Sequence, residues 1–190
     1  MKKRCLIILM AVMICFSVCG LAAIQAKDND DKVKKVDTYT VAVIDTEKGT
    51  MKAVLFTDQA PITTKNFIDL ANDSFYKDMV FHRVVKDFVI QTGDPTGTGA
   101  GGSGKTIPLE INKKLKHKKA GMLAMARKAD PDSATSQFYI TLKAQPKLDA
   151  HYAVFGQVYE GLDTIFKILQ GDKLNSVEII EVPKKEIKLK

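Results

Sequence analysis

The segment from Phe81 to Asp94 combines side chains that could do chemistry with residues that favour a pair of β-strands. It carries a histidine, an arginine and a glutamine among two phenylalanines and several β-branched residues, and it ends at a Gly-Asp-Pro turn signal. Arg83 would supply a guanidinium that is always charged, and Gln91 an amide that forms hydrogen bonds. Such polar groups in an otherwise apolar strand pair indicate the wall of a pocket. The alternative that composition leaves open is an aromatic core cluster with the arginine lying along its surface.

Other catalytic and metal-binding chemistries lack the residue patterns that they require. His82, His117 and His151 are scattered, and none has a carboxylate or a second histidine at the spacing of a zinc site. His117 lies in a run of lysines, and we expect it to be solvated. No Gly-x-Ser-x-Gly elbow occurs, and Ser133 and Ser136 lie among turn-forming residues that use serine as a hydrogen-bonding loop residue. We therefore expect no metal ion and no cofactor.

The glycine-rich stretch Gly99–Thr106 matches the phosphate-loop pattern G-x-x-x-x-G-K-[ST] at every position. A phosphate loop also needs a buried strand before it and a helix after it, because the helix N-terminus holds the phosphates. Here turn-forming residues precede the stretch, and Pro108 follows two residues after it, in a segment Ile107–Ile111 that reads as extended. The sequence predicts a tightly turning surface loop and no nucleotide binding.

Composition predicts one folded globular domain with appendages. Of the 190 residues, 45% are hydrophobic and 27% are charged, and this length fits a single core. The net charge is +7, and much of the excess lies in the runs 113–119 and 184–190. No aromatic residues interleave with these lysines, so they indicate solvated surfaces and not a nucleic-acid site.

The first 26 residues have the pattern of an export signal. Met1–Arg4 is basic, Cys5–Ile24 carries no charge, and small residues up to Ala26 offer a cleavage site. The uncharged run approaches the ~20 residues that span a bilayer, so an uncleaved anchor is one alternative and lipidation at Cys19 is another. All three cysteines lie in this segment, which leaves the exported domain without a disulfide or a thiolate site. The predicted organisation is a signal or anchor over 1–26, a charged linker over 27–37, a folded domain over 38–183 and a basic tail over 184–190.

Hydrophobic patterns along the domain predict many short strands and two helices. Apolar residues at helical spacing behind Pro61 indicate the first helix, and Leu162, Ile165, Phe166 and Leu169 form one apolar face of the second. This content favours a closed or nearly closed antiparallel β-barrel capped by two α-helices. The predicted strands are Thr38–Asp45, Thr50–Phe56, a hairpin-like pair within Phe81–Thr92, Ile107–Ile111, Gly121–Ala126, Gln137–Leu142, Ala153–Val158 and Val177–Val182, and the predicted helices are Pro61–Ala71 and Gly161–Leu169.

Several motifs, in the same order, resemble those of the cyclophilins, a class of peptidyl-prolyl cis-trans isomerases. The glycine-rich loop ending in Ile-Pro-x-Glu is similar to that of bacterial members. The resemblance covers about Thr38 to Val182. Its motifs are Phe81–Val85, Phe88–Pro95, Gly121–Arg127, Ser133–Ile140, Leu148–Asp149 and Val154–Val158.

The resemblance implies a mostly β, closed antiparallel barrel of about eight strands, with a helix at each end and a substrate groove on its outside. Arg83 would be the catalytic group. Four residues would wall a proline pocket, two would hold the substrate backbone and four more would line the groove. The residues that would wall the proline pocket are Phe88, Val89, Tyr139 and Leu148. Those that would hold the substrate backbone are Gln91 and Arg127, and those that would line the groove are Ala126, Gln137, His82 and Tyr152.

The resemblance further implies an enzyme that accelerates X-Pro bond rotation in unfolded or proline-containing polypeptides, without a cofactor. With the N-terminal pattern, it predicts an exported, monomeric folding catalyst in a bacterial-type periplasm or cell envelope, touching the membrane only if the N-terminal segment is retained or lipidated. The alternative function is a proline-segment binding module or holdase chaperone with the same fold and little relevant turnover.

Three features of the sequence raise questions for the implied site. Tyr139 stands where many members have phenylalanine, and its hydroxyl would need a partner. Lys147 stands where cyclosporin-sensitive members have tryptophan, which this chain lacks, so we expect weak cyclosporin binding. Phe88 and Gln91 are three residues apart and would point to opposite faces of a flat strand. A bulge or a strong twist would bring both to the groove, or one assignment is wrong.

Overall fold

A computed structural model describes residues 37–189 of the chain. The predicted export segment 1–26 and all but the last residue of the predicted linker 27–37 lie outside the described residues. Within the described range, no helix is both long enough and apolar enough to cross a membrane.

Nine antiparallel strands form one curled sheet, which confirms the predicted mostly β architecture. The strands are β1 (Thr38–Thr46), β2 (Gly49–Leu55), β3 (Met79–Val80), β4 (Arg83–Val85), β5 (Val89–Thr92), β6 (Met122–Met125), β7 (Phe138–Thr141), β8 (Val154–Glu160) and β9 (Lys173–Pro183). Their order across the sheet is β3-β9-β1-β2-β8-β6-β7-β5-β4.

Strands β5, β7 and β6 place alternate residues on two faces of the sheet. Ile90 pairs with Ile140, which pairs with Leu123, and this row faces the interior. The next row along the same strands starts at Gln91 and continues through Tyr139, which is buried in a second apolar cluster on the outside. Because side chains alternate along a strand, one set of strands builds both the core and an outer surface. The predicted site lies on that outer surface.

The one α-helix within residues 37–189, α1 (Pro61–Asn72), closes the interior and confirms the predicted first helix. Pro61 is its first residue, where a missing N–H has no cost. The Glu110 carboxylate accepts from the backbone N–H groups of Ile62 and Thr63, at 3.1 and 2.8 Å, and so replaces a side-chain N-cap. Phe67 projects from the helix into the core, where its ring packs edge-on against Phe138 at 5.2 Å between centroids.

The prediction of a second helix over Gly161–Leu169 is wrong. Only Thr164–Phe166 form a 3₁₀ turn, with Lys167 N–H donating to the Thr164 carbonyl at 3.0 Å. Ile165 is buried, whereas Phe166 is 59% exposed, so the apolar residues do not share one buried face. The segment therefore contains one short 3₁₀ turn and no α-helix. Over so few residues, the apolar spacing of such a turn cannot be distinguished in sequence from that of an α-helix.

The sheet has nine strands, which agrees with the prediction of about eight, but it remains open, which corrects the prediction that the barrel is closed. The edge strands β3 and β4 are not joined by a ladder within residues 37–189. The predicted strand Ile107–Ile111 is also absent from this range, and only an isolated bridge joins Ile107 to Ala134. Pro108 has no N–H to continue the bridge, and the Leu109 N–H donates instead to the Asp132 carboxylate at 2.8 Å.

Candidate active site

A cavity of about 220 Å³ opens on the outer face of β5, β7 and β6. Val89 and Tyr139 form its buried floor, at 1% and 4% exposure. Nine of the eleven predicted site residues line this one cavity, although their positions in the sequence extend over about half of the domain. They are Arg83, Phe88, Val89, Gln91, Ala126, Arg127, Tyr139, Leu148 and Tyr152.

A turn, and not a bulge, brings Phe88 to the same side as Gln91. The chain reverses between β4 and β5, where the Phe88 N–H donates to the Val85 carbonyl at 3.0 Å and Asp87 adopts a positive φ of 58°. Phe88 therefore precedes β5, so the alternation of that strand does not apply to it. Val89 and Gln91, two apart within the strand, share the outer face as expected.

Arg83 lies at the mouth of the cavity and is held by neighbours that leave its charge available. It faces Gln91 across the β4–β5 ladder, and its guanidinium donates to the Gln91 side-chain oxygen at 3.3 Å. The guanidinium carbon lies 5.5 Å from the centroid of the Phe88 ring, within cation–π distance. Arg83 forms no ion pair among the described residues. A permanent, uncompensated cation thus faces an apolar cavity.

Two glutamines connect Arg83 to the glycine-rich loop. The Gln91 amide nitrogen donates to the Gln137 side-chain oxygen at 2.8 Å. The Gln137 amide nitrogen in turn donates to the carbonyls of Gly99 and Gly101, at 2.9 and 2.7 Å. Each amide therefore has a fixed orientation, because its oxygen and its nitrogen have different partners. This glutamine relay orients the Arg83 guanidinium from behind.

Gln137 lies at the border of a second cavity of about 410 Å³, which neighbours the first. Glycines of the loop, from Gly99 to Gly104, form one wall of this cavity, and Ser133 and Thr135 form another part. Gln91, Ala126 and Arg127 line both cavities, so the two form a continuous groove. An extended polypeptide of several residues fits such a groove better than a single compact ligand does.

The carboxylate of Asp94 shapes the glycine-rich loop. It accepts from the backbone N–H groups of Thr96 at 2.8 Å, Gly99 at 2.6 Å and Gly101 at 3.1 Å. Burial opposes the charged form, but the hydrogen bonds outweigh it and lower the pKa of Asp94 to about 2. Two N–H groups of the phosphate-loop pattern, those of Gly99 and Gly101, are therefore already used, and a β-bridge at Ile107 follows where a helix would be needed.

His82 lies behind this loop and does not line either cavity. Both of its ring nitrogens are buried without a hydrogen-bond partner, and burial lowers the pKa of the imidazole. Gly99 passes so close that a Cβ there would lie 3.4 Å from the ring. His82 therefore supports the groove from beneath, whereas Gln137 reaches its surface.

The Arg127 guanidinium forms most of its hydrogen bonds with backbone carbonyls of the protein itself. Its Nε donates to the His151 carbonyl at 2.9 Å, and one terminal nitrogen donates to the carbonyls of Lys128 and Ala129. Its guanidinium carbon lies 5.0 Å from the centroid of the Tyr152 ring. Two of its five N–H groups at most remain for a substrate, so Arg127 chiefly fixes the rim.

The prediction that His117 is solvated is wrong, and this buried histidine is the part of the site that sequence reasoning missed. Its imidazole is fully buried, with Nε2 2.8 Å from the Tyr139 hydroxyl and Nδ1 2.9 Å from the Asp149 carboxylate. Tyr139 thus has the partner that its hydroxyl requires. Burial lowers the pKa of His117, although Asp149 acts in the opposite direction, and burial raises the pKa of Tyr139.

No cluster of histidine, cysteine, aspartate or glutamate suited to a metal ion occurs in residues 37–189. The groups that can act on a substrate here are the Arg83 cation, the amides of Gln91 and Gln137, the remaining N–H groups of Arg127 and an apolar floor.

Comparison with known proteins identifies the class. The sequence model of the cyclophilin type peptidyl-prolyl cis-trans isomerase family matches residues 41–190. A peptidyl-prolyl cis-trans isomerase-like 1 of Neurospora crassa is 47% identical over 129 residues, which are 66% of this chain and 78% of that protein. A peptidyl-prolyl cis-trans isomerase of Arabidopsis thaliana is 43% identical over 66% of this chain and 77% of its own length. A longer relative from Rhizopus delemar, isomerase-like 2, is 43% identical over 83% of this chain, which spans only 29% of it.

Solved structures agree with the sequence matches. A cyclophilin type isomerase of Cryptosporidium parvum superposes with a TM-score of 0.72 at 34% identity, over 77% of this chain and 100% of that one. A second structure of the same protein, obtained in the presence of the dipeptide Ala-Pro, gives a TM-score of 0.70 over 74% of this chain and 98% of that one. The chain belongs to the cyclophilin-type peptidyl-prolyl cis-trans isomerase family, a family of enzymes.

Proposed function

We propose that this enzyme accelerates rotation about X-Pro bonds by means of the Arg83 guanidinium, while the cavity floored by Val89 and Tyr139 holds the proline ring. The observation that carries the proposal is the placement of the Arg83 cation, which has no ion partner within residues 37–189 and donates to Gln91 at 3.3 Å, at the mouth of an apolar cavity on the outer face of the sheet. Phe88 and Leu148 would complete the walls around the ring.

The chemistry requires only that the amide lose its resonance. The uncatalysed barrier is ~18–20 kcal/mol, and uncatalysed rotation takes ~10–100 s. A guanidinium that donates to the prolyl nitrogen stabilises the twisted form, in which that nitrogen is pyramidal and the C–N bond is single. No proton has to be transferred, because the guanidinium remains charged at every accessible pH. An acceleration of four decades needs ~5.4 kcal/mol, which a placed charge near a desolvated surface can supply.

The cavity contributes mainly to substrate binding, and the cation contributes mainly to the rate of rotation. The apolar floor grips the ring in both the ground state and the transition state, so it contributes mainly to binding. The guanidinium gains its interaction only as the prolyl nitrogen becomes basic, so it contributes to the rate of rotation. The second cavity would hold the residues that precede proline, with Gln91 and Arg127 along the substrate backbone.

The test compares isomerisation of a proline-containing peptide by the wild type, Arg83→Ala and Lys86→Ala. Lys86 is an exposed cation on the same hairpin and controls for a general loss of charge. We expect Arg83→Ala to lose at least ~100-fold in kcat/KM, the size of effect seen when one placed donor to a transition state is removed. We expect Lys86→Ala to match the wild type. Equal rates in all three proteins would remove Arg83 from the mechanism, and no turnover in the wild type would favour the binding module or holdase.

We further propose that the enzyme is exported to a bacterial-type cell envelope and assists the folding of proline-containing chains there. The support is the pattern of residues 1–26 in the sequence, with its basic start, uncharged run and small residues before Ala26. Mass spectrometry of the protein from its native host tests this. A mature N-terminus at Lys27 is expected, and an intact Met1 would contradict cleavage.

A further inference from the structure

Behind the proline cavity, three polar side chains are connected by buried hydrogen bonds, and the rotation step does not use them. The Tyr139 hydroxyl lies 2.8 Å from His117 Nε2, and His117 Nδ1 lies 2.9 Å from Asp149 Oδ1. The imidazole is fully buried and its plane lies within 14° of the Tyr139 ring plane. A buried histidine between a pocket residue and a carboxylate is costly to desolvate, so its partners decide what it does.

The contacts allow one arrangement of protons when His117 is neutral. The carboxylate of Asp149 can only accept, and Oδ1 also accepts from the His117 backbone N–H at 2.8 Å. Hydrogen bonds from His117 hold the pKa of Asp149 below its ordinary value, although burial acts against them. Nδ1 must therefore carry the ring proton, and Nε2 accepts a hydrogen bond from the Tyr139 hydroxyl. In this series of hydrogen bonds, each side-chain polar atom therefore acts either as the donor or as the acceptor.

The same histidine is hydrogen-bonded both to the floor of the cavity and to the turn that carries its wall. Its ring holds Tyr139, which is the floor. Its carbonyl accepts from the Gln145 N–H at 2.7 Å, and the Gln145 carbonyl accepts from the Leu148 N–H at 2.9 Å, so its backbone holds the turn that carries the wall. Asp149 follows Leu148 directly and is bound to the imidazole. The distance between floor and wall is therefore set at His117.

We propose that His117 is a positioning residue that fixes the width of the proline cavity through Tyr139 and Asp149. The inference rests on the proposed function, since it assumes that the proline ring occupies this cavity. Substrate affinity should depend on His117, whereas the rotation step should depend on Arg83. A histidine that served packing alone would affect stability and leave the ratio of KM to kcat unchanged.

The test is a double-mutant cycle of Tyr139→Phe and His117→Gln, with kcat and KM measured for a proline-containing peptide. Both single variants remove the hydrogen bond between Tyr139 and the imidazole of His117, and Tyr139→Phe keeps the ring. His117→Gln also removes the bond from the imidazole to Asp149. We expect each to raise KM by about fivefold to tenfold, as for loss of one buried hydrogen bond, with kcat within about twofold of the wild type. The double variant should be no worse than the worse single variant, because both act through one bond.

Tyr76→Phe is the matched control. Its hydroxyl is also buried and donates one hydrogen bond, to the Ser136 carbonyl at 3.1 Å, but it lies in the interior of the sheet. We expect a lower melting temperature in this variant and a KM within about twofold of the wild type. If His117→Gln does not fold, Asp149→Ala replaces it in the cycle: this variant removes the partner of His117 Nδ1, and the double variant with Tyr139→Phe should again be no worse than the worse single variant, because both act through His117.

Multiplicative effects on KM in the double variant, an unchanged KM in the single variants, or a fall in kcat with constant KM would each overturn the positioning role. Arg83→Ala is measured in the same assay. If it retains the wild-type rate, the proposed function fails. If it is inactive while the cycle shows no coupling, only the role of His117 fails.

Discussion

The two faces of strands β5, β7 and β6 carry apolar clusters that differ in what surrounds them. The inner cluster, which includes Ile90, Phe138 and Leu123, is enclosed on all sides and has Tyr76 as its one titratable side chain among the described residues. The outer cluster, which includes Val89 and Tyr139, is smaller and forms the floor of the cavity on the outer face. Polar groups surround the outer cluster at hydrogen-bonding distance from one another.

The comparison shows that apolar burial by itself does not distinguish a core from a pocket in this fold. Both clusters come from the same strands by simple alternation. We propose that the outer one is the substrate site, because Arg83 borders it without an ion pair within residues 37–189, and because the Gln91–Gln137 relay and the His117–Asp149 pair hold its rim and floor. Substitutions on the inner face should therefore change stability, and those on the outer face should change function.

The largest effect is expected on the inner face, from Phe138→Ala. The ring is fully buried and packs against Phe67, so its removal should cost ~3–5 kcal/mol of the free energy of unfolding. Denaturant unfolding followed by fluorescence or circular dichroism measures this. The folded fraction should keep a kcat close to the wild-type value, and a specific loss of kcat without destabilisation would contradict the division between the faces.

A gain of binding is expected on the outer face from Lys147→Trp. Lys147 is exposed in the 3₁₀ turn Pro146–Leu148, next to the wall of the cavity. An aromatic ring there should strengthen cyclosporin binding by at least ~10-fold, since a tryptophan that packs at an interface commonly contributes this much. Calorimetric titration of wild type and variant gives both affinities, and nanomolar binding by the wild type would contradict the expectation of weak binding.

A smaller loss is expected from Gln91→Ala, which breaks the relay behind Arg83. The guanidinium would keep its charge and its contact with Phe88 but lose its fixed direction, so kcat/KM should fall by about 10-fold. Thermal stability should change little, since Gln91 is only partly buried. An effect as large as that of Arg83→Ala would show that Gln91 contacts the reacting bond itself.

The smallest effect is expected from pH, and it should arise outside the inner cluster. Burial lowers the pKa values of His117 and His82, so the unfolded chain binds more protons than the folded one as pH falls. Stability should therefore decrease below about pH 6.5, the ordinary histidine pKa. Asp94, with a pKa of about 2, adds a second decrease as pH falls below the ordinary aspartate value toward 2. Urea unfolding at several pH values measures both decreases in stability. The decrease below about pH 6.5 should be smaller in His117→Gln, and the decrease toward pH 2 should be smaller in Asp94→Asn.

Local patterns predicted the strands that build the site, but not what lies behind it. Alternation located β5 and β7, and the turn chemistry around Gly93 and Pro95 separated the loop from the sheet. The helical spacing of Leu162 to Leu169 was misleading because one 3₁₀ turn has nearly the same period over so few residues. His117 was hidden by its lysine neighbours, whose side chains point to solvent while its own points inward. Only the tertiary pairing with Tyr139 and Asp149 shows its role, and the unusual tyrosine was the one signal for it in the sequence.

The most direct test of the central claim is the rate of cis–trans exchange of an X-Pro peptide bound to the enzyme, measured by NMR exchange spectroscopy at saturating peptide. Wild type and Arg83→Ala are compared, with the peptide dissociation constant measured in parallel. The proposed mechanism predicts that exchange on the enzyme slows by at least ~100-fold in Arg83→Ala while the dissociation constant changes by less than about threefold. Unchanged exchange on the enzyme, with only weaker binding, would contradict it.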